Sequence, residues 1–533
     1  MQELETRTHR LSTRIFGYAP FMTIATAEVE LDGRRLTLEN AEAIADGARV
    51  RLAPLAEERV AKARSFVERR LREGEAIYGV TTGFGRLANV HIDPADAERL
   101  QVNLVRSHAA GTGPPLAVRT VRMAGALRVN ALAAGHSGVR RETLAQLVEL
   151  LNRGVTPYVP SQGSVGASGD LAPLAHMTLT LIGEGEAWYR GERMASATAL
   201  ARAGLRPIGL SAKEGLALVN GTQVMTGIAA LGTLRAARLA AAADVIGAMA
   251  LEAFLGTDRV FDRRINALRP HQGQARVADN LRALLASSQI VESHRECGRV
   301  QDPYSYRCIP VVHGAVRDAI AYARGVVETE MNSVTDNPLI FPDDGEILSG
   351  GNFHGQPVAL VIDFLKLALT TLASISERRL YLLLNGEERD LPLFLTGRSG
   401  LQSGLMIVQY TAAALVNENK GLAWPSSVDS IPTSAGQEDH VSMGMTSANA
   451  LMRVLDNVEG ALACELLGAL AATDFRRPLR SGTGTQAAYD AARERIAAFG
   501  EDRAPAPDIE SARSLIAEGR LVAAAEKATA TSL

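Results

Sequence analysis

Apolar residues recur at helical spacing through most of the chain. Between Thr143 and Arg153, Leu144, Leu147, Val148 and Leu151 share one face, and Gly154 stands where a left-handed residue would cap the helix. Pro357 is placed to open a long helix, because a first-turn position needs no N–H, and Val361, Phe364, Leu365, Leu372 and Ile375 give that helix its apolar face. Gln402–Asn417 and Ser442–Ala472 read the same way. The most apolar long stretch, Ile228 to Leu255, is interrupted by Arg235, Arg238, Asp244 and Glu252. A membrane span needs roughly 20 residues with few or no charges, so this stretch predicts a buried helix of a large bundle.

Strand signals are sparse. Asp32-Gly33 between Val29-Glu30-Leu31 and Leu36-Thr37-Leu38 predicts a hairpin, and a second is expected around Trp188, Tyr189 and Gly191. Residues 1–25 predict a mobile tail without the apolar core of a signal peptide, with Met22 as an alternative start. Glu501–Pro507 predicts a loop before a closing helical segment. The expected division is a tail at 1–25, an N-terminal domain at 26–212, a central long-helix bundle at 213–480 and a C-terminal helical segment at 481–533. The fold class expected is mainly α with small β-hairpins.

Composition narrows the functional classes. Of 533 residues, 47% are hydrophobic but only 5% aromatic, so the core must be built from Ala, Leu and Val. Lys and Arg total 56 against 59 Asp and Glu, with no long basic block, which argues against a nucleic-acid partner. Cys297, Cys308 and Cys464 are too few for a disulfide framework and suit a reducing cytoplasm.

Three motifs mislead. Gly83-Phe84-Gly85-Arg86-Leu87-Ala88 has dinucleotide-fingerprint spacing but no following strand–helix–strand pattern, and Asp93 comes too early to meet a ribose. His294, Cys297, Cys308 and His313 have a superficial zinc spacing, in a segment whose polar groups suit other work, so no metal is expected. Gly166-Ala167-Ser168-Gly169-Asp170 lacks the second glycine of a hydrolase nucleophile elbow.

That last segment has another reading. Ala167-Ser168-Gly169 is small enough for the backbone to bend until the Gly169 nitrogen reaches the Ala167 carbonyl. Cyclisation with loss of two waters turns Ser168 into a dehydroalanine within a five-membered ring, an electrophile that no standard side chain supplies. Seven further motifs accompany it in order: Tyr78–Gly85 (YGVTTGFG), Leu104–Gly111 (LVRSHAAG), Val219–Thr222 (VNGT), Gln301–Cys308 (QDPYSYRC), Asn332–Pro338 (NSVTDNP), Gly351–Gly355 (GNFHG) and Gln437–Met443 (QEDHVSM). On these motifs, from about Leu31 to the 480s, the chain resembles the histidine and aromatic amino acid ammonia-lyase and aminomutase family. Its cofactor is 4-methylidene-imidazole-5-one (MIO), made from Ala-Ser-Gly.

The resemblance implies an ammonia-lyase (fumarase/aspartase-like) fold, a homotetramer with each active site at a junction of three subunits, and no metal or nucleotide. It implies that the substrate amine adds to the carbon derived from Ser168, within the cofactor-forming triad Ala167, Ser168 and Gly169, and that Tyr78 is the general base. A free Tyr has a pKa of about 10, so this role needs a local positive field. The glycines after Tyr78 fit a lid. Arg307 matches the residue that grips the substrate carboxylate, Asn220, Gln301 and Tyr304 match polar contacts to cofactor or substrate, and Phe353 matches the aromatic that shields the cofactor.

Three matched positions face the substrate side chain: His108, Met406 and Glu438. Ser107-His108 and Met406 resemble the histidine type. A carboxylate at Glu438 has a partner in an imidazole N–H and none in a phenyl ring. The expected reaction is therefore elimination of ammonia from L-histidine to give trans-urocanate. Gln356 departs from this, because many histidine-type members carry Glu there and tyrosine lyases or aminomutases carry Gln. The alternatives are a tyrosine ammonia-lyase or tyrosine 2,3-aminomutase using the same MIO and, more remotely, an inactive helical scaffold.

Overall fold

A short parallel pair opens the described chain. β1 (Glu28–Leu31) and β2 (Arg49–Leu52) run parallel, Val29 opposite Val50, with α1 (Leu38–Ala45) crossing between them. The computed structural model describes residues 28–75 and 77–533, with the side chains of Pro94 and Glu388 left aside. The expected tail at 1–25 and the start at Met22 lie outside the described residues.

The hairpin expected at Val29–Leu38 is not formed. Asp32 Oδ1 accepts from the backbone N–H groups of Arg34 and Arg35, each at 2.9 Å, and Thr37 Oγ1 accepts from Asn40 N at 3.2 Å as the N-cap of α1. A cap residue before a helix-forming run turns the chain into a crossover, so Leu36–Leu38 never returns as a strand. The second hairpin forms as expected: β3 (Glu186–Tyr189) pairs antiparallel with β4 (Glu192–Ala195) through Arg190 and Gly191, both at positive φ.

Helices follow the apolar spacing. In chain order the elements used below are α2 (Ala97–His108), α3 (Val118–Ala133), α4 (Arg141–Arg153), α5 (Glu214–Val219), α6 (Gln223–Ala253), α7 (Tyr304–Arg307), α8 (Ile309–Met331), α9 (Gln356–Leu384), α10 (Met406–Leu422) and α11 (Gly444–Asp474). α4 ends at Gly154 with φ 70°, the expected left-handed cap. α6, α8, α9 and α11 pack against one another as a central bundle. The fold is thus mainly α, with small two- and three-stranded sheets at its margins.

α6 is buried on almost every face, and its buried charged groups are held by polar partners. Arg235 meets Asp456 and Glu459, Asp244 meets His313 and Arg317, and Glu252 accepts from Gly482 N and Thr485. α9 carries Pro357 in its first turn, and Val361, Leu365, Leu372 and Ile375 are buried as expected. Phe364 is not: it is 45% exposed and meets Tyr322 edge-on. The helix is apolar around a wide arc, so Leu360, Phe364 and Leu367 form a second stripe that faces away from the bundle. By length and composition alone α9 is long and apolar enough to cross a membrane, yet 56% of that window is buried and Asp363 pairs with Lys366 at 2.8 Å within it. α10 starts at Met406 rather than Gln402, because the Gln402 side chain is tied to Thr396, Gly500 and Glu501. The 501–505 loop precedes a helix at Ala506–Ala517, close to expectation.

Arg379 and Glu465 are both fully buried and paired, and Ser376 adds a 2.5 Å hydrogen bond to the carboxylate. Glu465→Gln should lower stability by about 3–5 kcal/mol, since it leaves a buried guanidinium without its counter-charge. The double replacement Arg379→Met with Glu465→Leu should recover most of that loss. Thermal unfolding followed by circular dichroism checks both, and a single variant that melts with the parent would contradict the burial of this pair.

Candidate active site

The Ser168 bend stands on the N-terminus of α6. Gly166 and Gly169 take φ of 70° and 72°, and a Cβ on Gly169 would lie 2.0 Å from the Gly221 oxygen. Gly169 and Gly221 bridge in parallel, and Asp170 N donates to Gly221 O at 2.7 Å. The Asp170 carboxylate accepts from Val224 N at 2.9 Å and Met225 N at 2.8 Å, the first free donors of α6, and from Ser164 Oγ at 3.1 Å. Burial pushes Asp170 up to about 7, against the pull of these donors and of Arg128. The Ser168 carbonyl accepts from Asn220 Nδ2 at 3.1 Å and from Gly221 N at 3.4 Å, while Asn220 Oδ1 is buried with no partner among the described residues.

Glu438 closes over the bend. Its Oε1 accepts from Ser168 Oγ at 2.7 Å and its Oε2 from Thr433 Oγ1 at 2.6 Å. His108 ends α2, with Ser107 Oγ 3.1 Å from its Nδ1. Burial lowers the His108 imidazole below its usual value, opposed by the Leu104 backbone and the Glu438 charge, so it is neutral at pH 7. Tyr78 is half-buried at the start of its glycine-rich loop, and its oxygen accepts from Gly85 N at 2.9 Å. A Cβ on Gly85 would touch Ser434 Oγ at 2.7 Å, so this loop rests on the segment that carries Glu438. Phe353 joins the same side of the molecule, because Gly355 N donates to the Gly166 carbonyl at 3.2 Å.

The remaining expected residues lie far away in the same chain. Arg307 donates to Gln301 Oε1 and sits 5.4 Å from the Tyr304 ring, which is 74% exposed. Two buried anchors fix this segment: Asp302 accepts from Thr257 N and pairs with Arg389, and Tyr306 stacks on Phe254 at 4.5 Å. Phe254 and Thr257 follow the C-terminus of α6, whereas Asp170 and Gly221 adjoin its N-terminus. A helix of 31 residues at about 1.5 Å each separates them by about 45 Å. Met406 belongs with the distant group, since Gln409 in the same turn region donates to Glu377, about 30 Å along α9 from Gln356.

Some residues of the site were not singled out from sequence. Thr433 orients Glu438, and Arg128, buried in α3, donates to the Ala217 and Asn220 carbonyls at 3.1 and 2.9 Å. A lone arginine in the apolar run Met123–Ala134 was the available signal. The superficial zinc set is engaged otherwise: His313 lies between Asp244 and Arg379, and both ring nitrogens of His294 face backbone carbonyls.

A mainly α bundle that holds an Ala-Ser-Gly bend on a helix N-terminus, under a carboxylate and beside a tyrosine, defines the class of the enzymes that eliminate ammonia from amino acids. The family model of aromatic amino acid lyases matches residues 36–494, and the chain belongs to that family. It is 56% identical to the histidine ammonia-lyase of Anaeromyxobacter sp. (strain K) over 501 residues, 92% of this chain and 99% of that protein. Among solved structures, histidine ammonia-lyase from Trypanosoma cruzi superposes with a TM-score of 0.88 at 41% identity, covering 94% of this chain and 95% of that one. Tyrosine aminomutase from Streptomyces globisporus superposes with a TM-score of 0.90 at 39% identity, covering 95% and 100%.

Gly169→Ala and Gly154→Ala separate the site's crowding from simple backbone strain. Both positions have positive φ, worth about 1–3 kcal/mol against Ala, but Gly154 has open space around it. Gly169→Ala should therefore lower the unfolding midpoint in urea clearly further than Gly154→Ala. Equal losses would mean that the Gly169–Gly221 contact is not tight.

Proposed function

We propose that this chain is a histidine ammonia-lyase, eliminating ammonia from L-histidine to give trans-urocanate. The observation that carries the substrate is Glu438: its Oε1 accepts from the Ser168 hydroxyl, and dehydration of Ser168 would remove that donor. A carboxylate is then left open beside the reacting carbon, and an imidazole N–H satisfies it where a benzene ring does not. Leaving it unpaired costs about 1–3 kcal/mol, a tenfold to hundredfold preference.

The residues fit an MIO formed from Ala167, Ser168 and Gly169. Two positive-φ glycines compress the bend, no side chain at 169 would fit, and two donors converge on the Ser168 carbonyl. When formed, the group supplies an electrophilic carbon that turns the substrate amine into a better leaving group. Asn220 Nδ2 and Gly221 N hold the carbonyl oxygen toward which charge moves. Tyr78 removes the β-proton, and the Gly85 N–H donates to its oxygen and fixes its position. Neutral His108 and Glu438 bind the imidazole and Phe353 keeps water from the bend, while Met406, distant in the same chain, lines the side-chain pocket of a neighbouring subunit's site.

Arg307, with Gln301 and Tyr304, binds the substrate carboxylate through a planar fork of donors. Their anchoring at the opposite end of α6, a helix about 45 Å long, from Ser168 supports a homotetramer in which neighbouring subunits complete each site. The outward stripes of Leu360, Phe364 and Leu367 on α9 and of Ile407 and Tyr410 on α10 supply apolar surface for such contacts. The three free cysteines suit a cytoplasmic enzyme.

The second reading is a tyrosine lyase or aminomutase, favoured by Gln356 and by the likeness to the Streptomyces enzyme. Gln356 Nε2 donates to the Ser427 carbonyl at 3.3 Å, which gives that amide a role in loop anchoring apart from substrate choice.

Two measurements test this reading. Purified protein should convert L-histidine to urocanate far faster than L-tyrosine to 4-coumarate or β-tyrosine, and Glu438→Gln should weaken histidine turnover while sparing aromatic substrates. Faster 4-coumarate or β-tyrosine formation by the parent would favour the tyrosine reading. Ser168→Ala should remain folded, lack the two-water mass deficit of the parent and lose nearly all turnover, whereas Arg307→Gln should keep the mass deficit and lose most turnover on the binding side. Co-assembly of these two variants should restore part of the activity, because mixed tetramers contain some sites with both residues intact. No restoration would argue against shared sites, and a Ser168→Ala protein with parental activity would remove MIO.

A further inference from the structure

The peptide group joining Asn220 to Gly221 is hydrogen-bonded at both ends. Its N–H, on Gly221, donates to the Ser168 carbonyl at 3.4 Å, and its C=O, on Asn220, accepts from Arg128 Nη1 at 2.9 Å. Arg128 is 2% exposed, and its Nε and Nη2 have no partner among the described residues. A buried guanidinium ordinarily sits against a carboxylate. Here the neighbouring acids are engaged elsewhere: Asp336 pairs with Lys213 at 2.8 Å, and Asp170 accepts from the first N–H groups of α6. The guanidinium lies instead against the bare Cα of Gly221, where a Cβ would come within 2.8 Å of Nη2. Burial lowers Arg128 to about 10, so it remains charged at neutral pH.

We propose that Arg128 is a positioning residue for the Ser168 site, holding and polarising the Asn220–Gly221 peptide so that its N–H and the Asn220 amide meet negative charge arriving at the Ser168 carbonyl oxygen. A hydrogen bond to one end of a peptide group strengthens the bond made by the other, and a water-excluded setting raises the effect. Arg128 never touches the reacting atoms. It acts through a backbone unit whose two termini face a buried cation on one side and the electrophile's oxygen on the other. This inference rests on the reading of Ser168 as the source of an electrophile.

The test reads electrophilicity without turnover. Cyanide carbon bonds to the former Ser168 side-chain carbon, the electron pair passes to the Ser168 carbonyl oxygen, and solvent supplies the proton, so the adduct is followed by intact mass. Arg128→Gln keeps a donor without charge and should slow cyanide addition about tenfold, and Arg128→Lys, with charge but no fork, about threefold. The cyclised protein, identified by its two-water deficit, is the population scored in each case. In steady-state assays kcat for L-histidine should fall in parallel while KM changes little. Addition at the parental rate in whichever variant folds would overturn the role of Arg128, since a purely structural residue would reduce the cyclised fraction without changing its rate. A parent chain with no two-water deficit would instead overturn the reading of Ser168.

Discussion

The contact between Gly169 and Gly221 sets the terms for the rest of the site. The Gly221 backbone approaches so closely that Gly169 tolerates no side chain, a Cβ on Gly221 would instead crowd the Gln223, Arg128 and Thr335 side chains, and the approach is held by Asp170 on first-turn N–H groups of α6. A helix N-terminus welcomes a carboxylate, yet full burial disfavours its charge, and the balance leaves Asp170 titrating near 7. Arg128 adds positive charge behind the same peptide unit. The Ser168 bend is thus built on a helix end, which suits its proposed role as a reaction centre needing exact placement of a carbonyl oxygen.

The same helix separates what it organises. α6 holds the Ser168 bend at its N-terminus and anchors the Arg307 segment beyond its C-terminus, its two ends lying about 45 Å apart. The proposed homotetramer would unite them through packing between chains, and the apolar stripes on α9 and α10 face away from the chain's own core. Inside the bundle, ion pairs such as Arg379–Glu465 and Arg317–Asp244 stand at the contacts between long helices. They specify which helix meets which, because a misregistered packing would bury each charge alone.

Much of this was legible in the chain itself. Helices announced by three- and four-residue spacing formed where expected, with Gly154 and Pro357 in their capping and opening roles, because backbone geometry ties local pattern to local structure. Asp32-Gly33 misled, since a turn signal does not say whether strand or helix follows, and the Thr37 cap decided for a helix. Phe364 misled similarly: apolar residues on a wide arc leave open which side faces the core.

By itself the amino-acid order determined the helical class, the Ala-Ser-Gly bend and the family motifs, because each is written in contiguous residues. Only the tertiary structure decided that Glu438 reaches across 270 positions to Ser168, that Arg128 stands behind the Asn220–Gly221 peptide, and that Arg307 lies at the opposite end of a 31-residue helix. Those relations depend on how separate elements pack. Packing is settled by burial and shape across the whole molecule, to which spacing along the chain is blind.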